Sequence, residues 1–211
     1  MIRVLVCDDH LIVRQGIKQI LADAPDLEIA GEAANGPEAL ARVRAGGIDV
    51  LLLDIAMPQR DGLDVLKAAK SEHPKLAVLM LSTYPDRQYA LRSLKLGASG
   101  YLNKSADSEQ MIAAIRKVAQ GGLFITPAVA ELLAGSIGAG SNRPTHEALS
   151  HREYQVFMLL AAGRSVSEIA ECLVLSSNTV STYRARILEK TGTRNDVEIA
   201  LYAVQQDLRA A

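Results

Sequence analysis

Three carboxylates, a serine and a lysine stand at the ends of short apolar runs in the first half of the chain. Asp8 and Asp9 follow "VLVC", Asp54 follows "VLLL", Ser82 follows "VLML" and Lys104 follows "GYLN". A carboxylate closing a buried run is costly to desolvate, so its charge must be compensated. Three close carboxylates repel one another unless a cation sits among them. Oxygen donors with little else suit Mg²⁺, which keeps several waters and bridges to phosphate. Lys104 adds a mobile point charge that pairs with a phosphoryl oxygen, and Ser82 adds a hydroxyl. Together these are the parts needed to accept a phosphoryl group on a carboxylate. Any one of the aspartates alone reads equally well as a strand end or a helix cap; the whole set, at matching strand ends, does not.

Those residues need a scaffold that brings four strand ends together. Short β-rich runs occur at residues 2–6, 27–30, 50–53, 76–81 and 99–102, with helix-length amphipathic segments between them, such as 11–22 and 38–44. Asn35 before Gly36-Pro37 starts a helix, His73-Pro74 stops one and Gly97 follows another. Five strand–helix repeats imply a parallel sheet with helices on both faces. Several runs are continuously apolar, as buried parallel strands are. In such a sheet all carboxyl ends lie on one edge, where ligand crevices form. His10 invites a metal-ligand or phosphohistidine reading. With no second ligand taken to accompany it, it is expected to be a surface residue opening the first helix.

The chain has 211 residues, 49% hydrophobic and 22% charged, with a net charge of −1. That fits one or two soluble domains with real cores. No apolar run approaches the roughly 18 residues of a membrane helix. The start, "MIRVLVCDDH", lacks a signal-peptide layout, so a cytoplasmic protein with no membrane association is expected. Cys7 and Cys172 read as small buried hydrophobes in a reducing compartment.

After residue 122 the pattern changes. Thr126-Pro127 caps a short helix expected at 127–133. Residues 134–145 gather Gly, Ser, Asn and Pro, a flexible connection. We therefore expect a first domain at 1–122, a linker at 123–146 and a second domain at 147–211. The second half shows four amphipathic helices and no strands. Ser150 with Glu153, and Ser165 with Glu168, have capping-box spacing. Two short helices around "VLSS" make a helix-turn-helix candidate whose second helix would enter a major groove. Val180, Ile187 and Leu188 fall toward the core. Asn178, Ser181, Thr182 and Ala185 share another face, flanked by Arg184, Arg186, Lys190 and Arg194, which can hold phosphates. Against this, residues 147–211 carry seven Lys/Arg and eight Asp/Glu, no basic excess.

"VLVCDDH", "LLLDIAMPQRDG", "VLMLST" and "GASGYLNK" resemble the receiver domain of two-component response regulators. The resemblance implies a doubly wound, flavodoxin-like α/β sheet of five parallel strands, with Asp54 as phosphoacceptor for a sensor histidine kinase. It implies Mg²⁺ bound directly by Asp9, Asp54 and the Ala56 carbonyl, with Asp8 nearby or acting through water. Ser82 and Tyr101 become the switch pair, drawn inward by phosphorylation, and Lys104 the lysine of the last loop. Within "LST", the distance back from Lys104 in the family selects Ser82 over Thr83. "LSHREYQVFMLLAAGRSVSEIAECLVLSSNTVSTYRARILEKTGTRND" is similar to the LuxR-type helix-turn-helix, a small all-α domain of four helices. The whole architecture resembles the NarL/FixJ transcriptional regulators. That implies promoter double-stranded DNA as partner, a homodimer when phosphorylated, and a phosphoacceptor with at most self-phosphorylation and self-dephosphorylation activity. DNA-contacting positions are expected at Asn178, Thr179, Ser181, Thr182, Arg184, Ala185, Arg186, Lys190 and Arg194. Ser181 and Ala185 replace the family's usual lysines, so arginines are expected to take over phosphate contacts. Ala56, unable to orient a water, and Tyr84, shielding the phosphoryl group, imply a slowly decaying phosphoform. Two other readings stand beside this one: a receiver acting by protein contact, supported by the weak basic charge, and a phosphatase-like enzyme using the aspartate as nucleophile.

Overall fold

Burial of the apolar runs builds the sheet. The structure, a computed structural model, describes residues 1–57, 61–83, 86–138, 146, 149–206 and 208, and divides into two compact units, Met1–Ala139 and Gly140–Ala211. In the first unit, strands β1 (Ile2–Cys7), β2 (Leu27–Ala33), β3 (Val50–Asp54), β4 (Ala77–Ser82) and β5 (Gly100–Asn103) alternate with helices α1 (Leu11–Ala22), α2 (Gly36–Ala45), α3 (Gly62–Glu72), α4 (Asp86–Lys95) and α5 (Ser108–Ala119). Every strand pair is parallel and the order is β2-β1-β3-β4-β5. This is the flavodoxin-like doubly wound sheet, whose strand order reverses between β1 and β3 and opens a crevice there.

Strand alternation divides the core. Val4, Val6, Val50, Leu52, Leu79 and Leu81 pack with Ile17 and Leu21 of α1 and with Met111, Ala114, Ile115 and Val118 of α5. Leu5, Cys7, Leu51, Leu53, Val78 and Met80 are equally buried and point to the opposite face. Each fully buried leucine contributes about 1.5–3 kcal/mol, and that apolar bulk holds β3 in place although it ends in a carboxylate.

The first unit runs past the boundary expected at residue 122. Gly100 forms a parallel bridge with Phe124. The Tyr101 N–H donates to the Phe124 carbonyl at 3.3 Å, and the Phe124 N–H to the Ser99 carbonyl at 2.9 Å. This pairing covers the open edge of β5. Helix α6 (Pro127–Gly138) then extends beyond the expected 127–133, with no proline to stop it, and packs near α4. Residues 123–138 therefore belong to the first unit rather than to a linker.

The second unit contains α7 (His151–Ala161), α8 (Val166–Leu173), α9 (Ser177–Thr191) and α10 (Asp196–Gln205). Both expected capping boxes form at α7 and α8. Val156, Phe157, Leu160, Ile169, Val180, Ile187 and Ile199 make the core. The turn between α8 and α9 passes through Val174, which sits in the left-handed region at φ 53°.

Candidate functional site

The first site lies where β1 and β3 end side by side. Asp8 follows β1 and Asp54 closes β3; they are 0% and 1% exposed. The Lys104 N–H donates to the Ser82 carbonyl at 2.8 Å, so the β5 end is pinned to the β4 end. Lys104 Nζ lies 2.6 Å from Asp8 Oδ2 and 3.0 Å from Asp54 Oδ1. The first of these is an ion pair by distance without good hydrogen-bond geometry, since Asp8 Oδ2, like Asp54 Oδ2 and Asp9 Oδ1, meets no hydrogen-bond partner among the described residues. Burial, with Asp8 adding, pushes the Asp54 carboxyl above the usual aspartate range, against the pull of Lys104. Burial opposes the Lys104 charge, but the Asp54 and Asp8 carboxylates outweigh it and raise the ammonium.

Ser82 is buried at the end of β4, whereas Thr83 is exposed. Tyr101 is fully buried on β5, in register with Met80. Ala56 is half-buried two residues beyond Asp54. The structure thus gathers Asp8, Asp9, Asp54 and Lys104 directly and sets Ser82 on the adjoining strand. Tyr84 lies outside the described residues.

His10 is the exposed residue that opens α1, as expected, but the expectation leaves out the carboxylates beside it as partners. Its Nδ1 lies 2.9 Å from Asp9 Oδ1 and 3.3 Å from Asp8 Oδ1. Arg14 carried no signal in the sequence, because its partners are remote along the chain. Its Nη1 donates to the Asp8 carbonyl at 2.7 Å and its Nε to Glu32 of β2 at 3.2 Å, fixing the acidic loop against the sheet. Gly62 opens α3 so close to β3 that a Cβ would stand 2.1 Å from the Asp54 carbonyl oxygen. The "RDG" glycine was the only hint of that approach. Cys7 is buried as expected, its thiol pushed up to about 12 mainly by burial. Cys172 is not: it sits exposed on α8, whose apolar stripe it misses.

The second site is the outer face of α9. Asn178, Ser181, Thr182, Ala185, Arg186, Lys190 and Arg194 are exposed, and Thr179 and Arg184 half-buried. Asn178, Thr179, Thr182, Tyr183 and Arg186 line an open concavity of about 290 Å³. Tyr183 is an addition to the expected set. Two of the expected phosphate holders are engaged elsewhere. Arg184 Nε donates to Asp196 at the start of α10 at 2.7 Å. Lys190 Nζ donates to Glu153 Oε2 at 2.6 Å. Burial alone would raise the Glu153 carboxyl, but the bonds from Lys190 and Ser150 hold it below its ordinary value.

Comparison with known proteins follows the same division. Residues 4–116 match the response regulator receiver domain, and residues 147–203 match the bacterial regulatory proteins of the luxR family. The response regulator GacA of Pseudomonas viridiflava is 39% identical over 209 residues, 99% of this chain and 98% of its own. The transcriptional regulatory protein UhpA of Salmonella typhimurium is 43% identical over 201 residues, covering 95% and 96%. Among solved structures, RcsB from Salmonella enterica serovar Typhimurium, bound to promoter rprA in the presence of phosphomimetic BeF3−, superposes with a TM-score of 0.61 at 26% identity, over 95% of this chain and 97% of that one.

Proposed function

The chain belongs to the NarL/FixJ family of two-component response regulators, and from that premise we propose that Asp54 is its phosphoacceptor and α9 its reader of promoter DNA. The convergence of Asp8 and Asp54 on Lys104 Nζ, at 2.6 and 3.0 Å, carries the first half. An Asp54 carboxylate oxygen attacks the phosphorus of a phosphohistidine on a sensor kinase; the new P–O bond forms as the P–N bond breaks and the imidazole leaves. Oδ1 is engaged by Lys104, and Oδ2 is the oxygen without a hydrogen-bond partner among the described residues. The Lys104 ammonium then pairs with a phosphoryl oxygen, which keeps the charge of the acylphosphate compensated.

The donor set fits Mg²⁺: it is rich in hard oxygens, and three carboxylates against one ammonium leave two negative charges over. Asp9, Asp54 and the Ala56 carbonyl would hold the ion, with Asp8 beside them. When bound, it neutralises charge on the transferring phosphoryl group. Ser82 and Tyr101 form the switch. Tyr101 is already buried in this structure, so the signal rests on what holds the ring in and on the adjoining α4 and β5, not on the inward swing of an exposed side chain.

For the second half, Thr182 is assigned to a base edge and Arg186 and Arg194 to phosphates, with Arg184 and Lys190 secondary because of their partners within the unit. A second domain with only seven Lys/Arg neutralises few phosphates and binds weakly in one copy, so two copies are required. Val197, Leu201 and Val204 are 68%, 57% and 78% exposed and recur at helical spacing along α10; that apolar stripe is the face for a second copy. The regulator lives in the cytoplasm, where kinase and promoter meet, and its phosphoform decays slowly.

Acetyl phosphate with Mg²⁺ should add one phosphate to the wild-type chain and none to Asp54→Asn. Label retained by the variant at Asp8 or Asp9 overturns the assignment. A gel shift on the upstream DNA of its own operon, with and without phosphodonor, tests the rest. If neither form shifts any DNA, the receiver acts by protein contact instead.

A further inference from the structure

We propose that His10 is a ligand of the acidic site, which makes it a mixed imidazole–carboxylate centre able to hold a borderline transition-metal ion more tightly than Mg²⁺. The inference rests on the cation reading of the acidic cluster above and adds a residue and an ion class to it. His10 is the N-cap of α1, and its backbone N–H donates to Asp8 Oδ1 at 2.9 Å. That bond sets the direction in which the imidazole leaves the chain. Nδ1 then stands 2.9 Å from Asp9 Oδ1 and 3.3 Å from Asp8 Oδ1. Adjacent donors of an octahedral ion with bonds of roughly 2.1 Å are separated by about 3 Å, so these are the spacings of neighbouring ligands. Donor atoms from Asp8, Asp9, His10 and Asp54 all lie within 4.8 Å of one another.

A second observation points independently to a cation. Asp54 is 1% exposed, yet its Oδ2 has no hydrogen-bond partner among the described residues; Asp8 Oδ2, also buried, meets only the Lys104 ammonium, at 2.6 Å. Buried charged oxygens left this way are expensive unless an ion completes them. The imidazole, 65% exposed, forms the solvent side of the cluster, so an ion enters past it without opening the fold.

The consequence is selectivity. Mg²⁺ prefers oxygen and dehydrates reluctantly, so an added imidazole contributes little to it. Ions such as Ni²⁺ take imidazole readily and bind nitrogen-containing sites more tightly along the divalent series. The same cluster therefore accepts either kind of ion, and availability decides which one is present. If His10 only hydrogen-bonds Asp9 and steadies the loop, its loss should affect both ions alike.

Isothermal titration calorimetry on the untagged full chain separates these cases, with Mg²⁺ and Ni²⁺ titrated into wild type and His10→Ala. Ni²⁺ bound at His73, His146, His151 or Cys172 is set aside by counting only the ion that excess Mg²⁺ displaces. We expect displaceable Ni²⁺ to bind at least about tenfold more tightly than Mg²⁺, and His10→Ala to weaken it by about tenfold or more while Mg²⁺ affinity changes less than about threefold. Equal losses for both ions, or no loss for Ni²⁺, overturn the inference and leave the Mg²⁺ reading standing. If Mg²⁺ itself does not bind wild type, the cation reading of the cluster falls, and this inference with it.

Discussion

Residue by residue, the receiver site depends on side chains that never meet the phosphoryl group. Gly62 lets the start of α3 lie on the Asp54 backbone, where a Cβ would meet the Asp54 carbonyl oxygen at 2.1 Å and the Ile55 Cα at 2.8 Å. Both obstacles are backbone atoms and cannot rotate away. Gly62→Ala should therefore destabilise the chain by about 1–3 kcal/mol, as overpacking does, and slow phosphorylation by acetyl phosphate, although no reacting group has changed. A thermal melt and a phosphorylation time course check this; a variant with wild-type melting and rate contradicts the contact. Arg14 acts differently. It ties the Asp8 carbonyl to Glu32, so Arg14→Ala should weaken Mg²⁺ binding measured by calorimetry, while Arg14→Lys recovers part of it. Loss of stability with unchanged Mg²⁺ affinity would show a purely structural arginine.

At the level of elements, α9 carries both cations proposed to touch DNA and cations that build the domain. Lys190 compensates Glu153, whose side chain is 3% exposed. Lys190→Ala leaves that carboxylate buried without its cation, and should cost about 1–2 kcal/mol, between an exposed pair (about 0–1 kcal/mol) and a fully buried one (about 3–5 kcal/mol), because the lysine is partly solvated. Arg186→Ala should leave the melt unchanged, weaken binding to all DNA sequences alike and reduce the salt dependence; Thr182→Ala should mainly relax sequence preference. Wild-type DNA affinity in Arg186→Ala would remove α9 from the phosphate backbone. The Glu153 carboxyl is held below its ordinary value. Its contribution is thus complete above the ordinary glutamate range and lost as pH falls through the lower folded value. Acid unfolding of the second unit should accordingly be steeper in wild type than in Glu153→Gln. Val174 supplies the opposite kind of test. It is a β-branched residue at φ 53° and 90% exposed, a left-handed conformation that costs an ordinary side chain about 1–2 kcal/mol. Val174→Asn should raise the stability of the helix-turn-helix by up to about 1 kcal/mol without altering DNA affinity; a destabilised variant would show that the valine has packing to lose.

For the whole molecule, two copies are proposed to act together, each adding its DNA contacts to the other's. A single unit with seven Lys/Arg neutralises few phosphates, and two copies would double that number and read half-sites about one helical turn apart. Val197→Asp in the α10 stripe should leave phosphorylation at Asp54 intact, reduce dimer formation in sedimentation and lower promoter affinity by at least about tenfold. Full promoter affinity in a variant that sediments as a monomer would end the dimer proposal.

The chain's sequence by itself determined the class of fold, the acidic site and the family. Parallel strands buried on both faces are written as continuous apolar runs, and a polar or charged residue at the end of such a run stands out because burial makes it expensive. Asp8, Asp54, Ser82 and Lys104 were legible for that reason, as were the capping boxes of α7 and α8, whose partners lie three residues apart. Tertiary structure alone decided what depends on distant segments. Phe124 pairs with β5 and moves the domain limit; Arg14 reaches Glu32 across 18 residues; Lys190 reaches Glu153 across 37; Gly62 is dictated by a backbone approach. In each case the side chain's role comes from a partner that local periodicity does not encode, and folding of the sheet brings that partner into range.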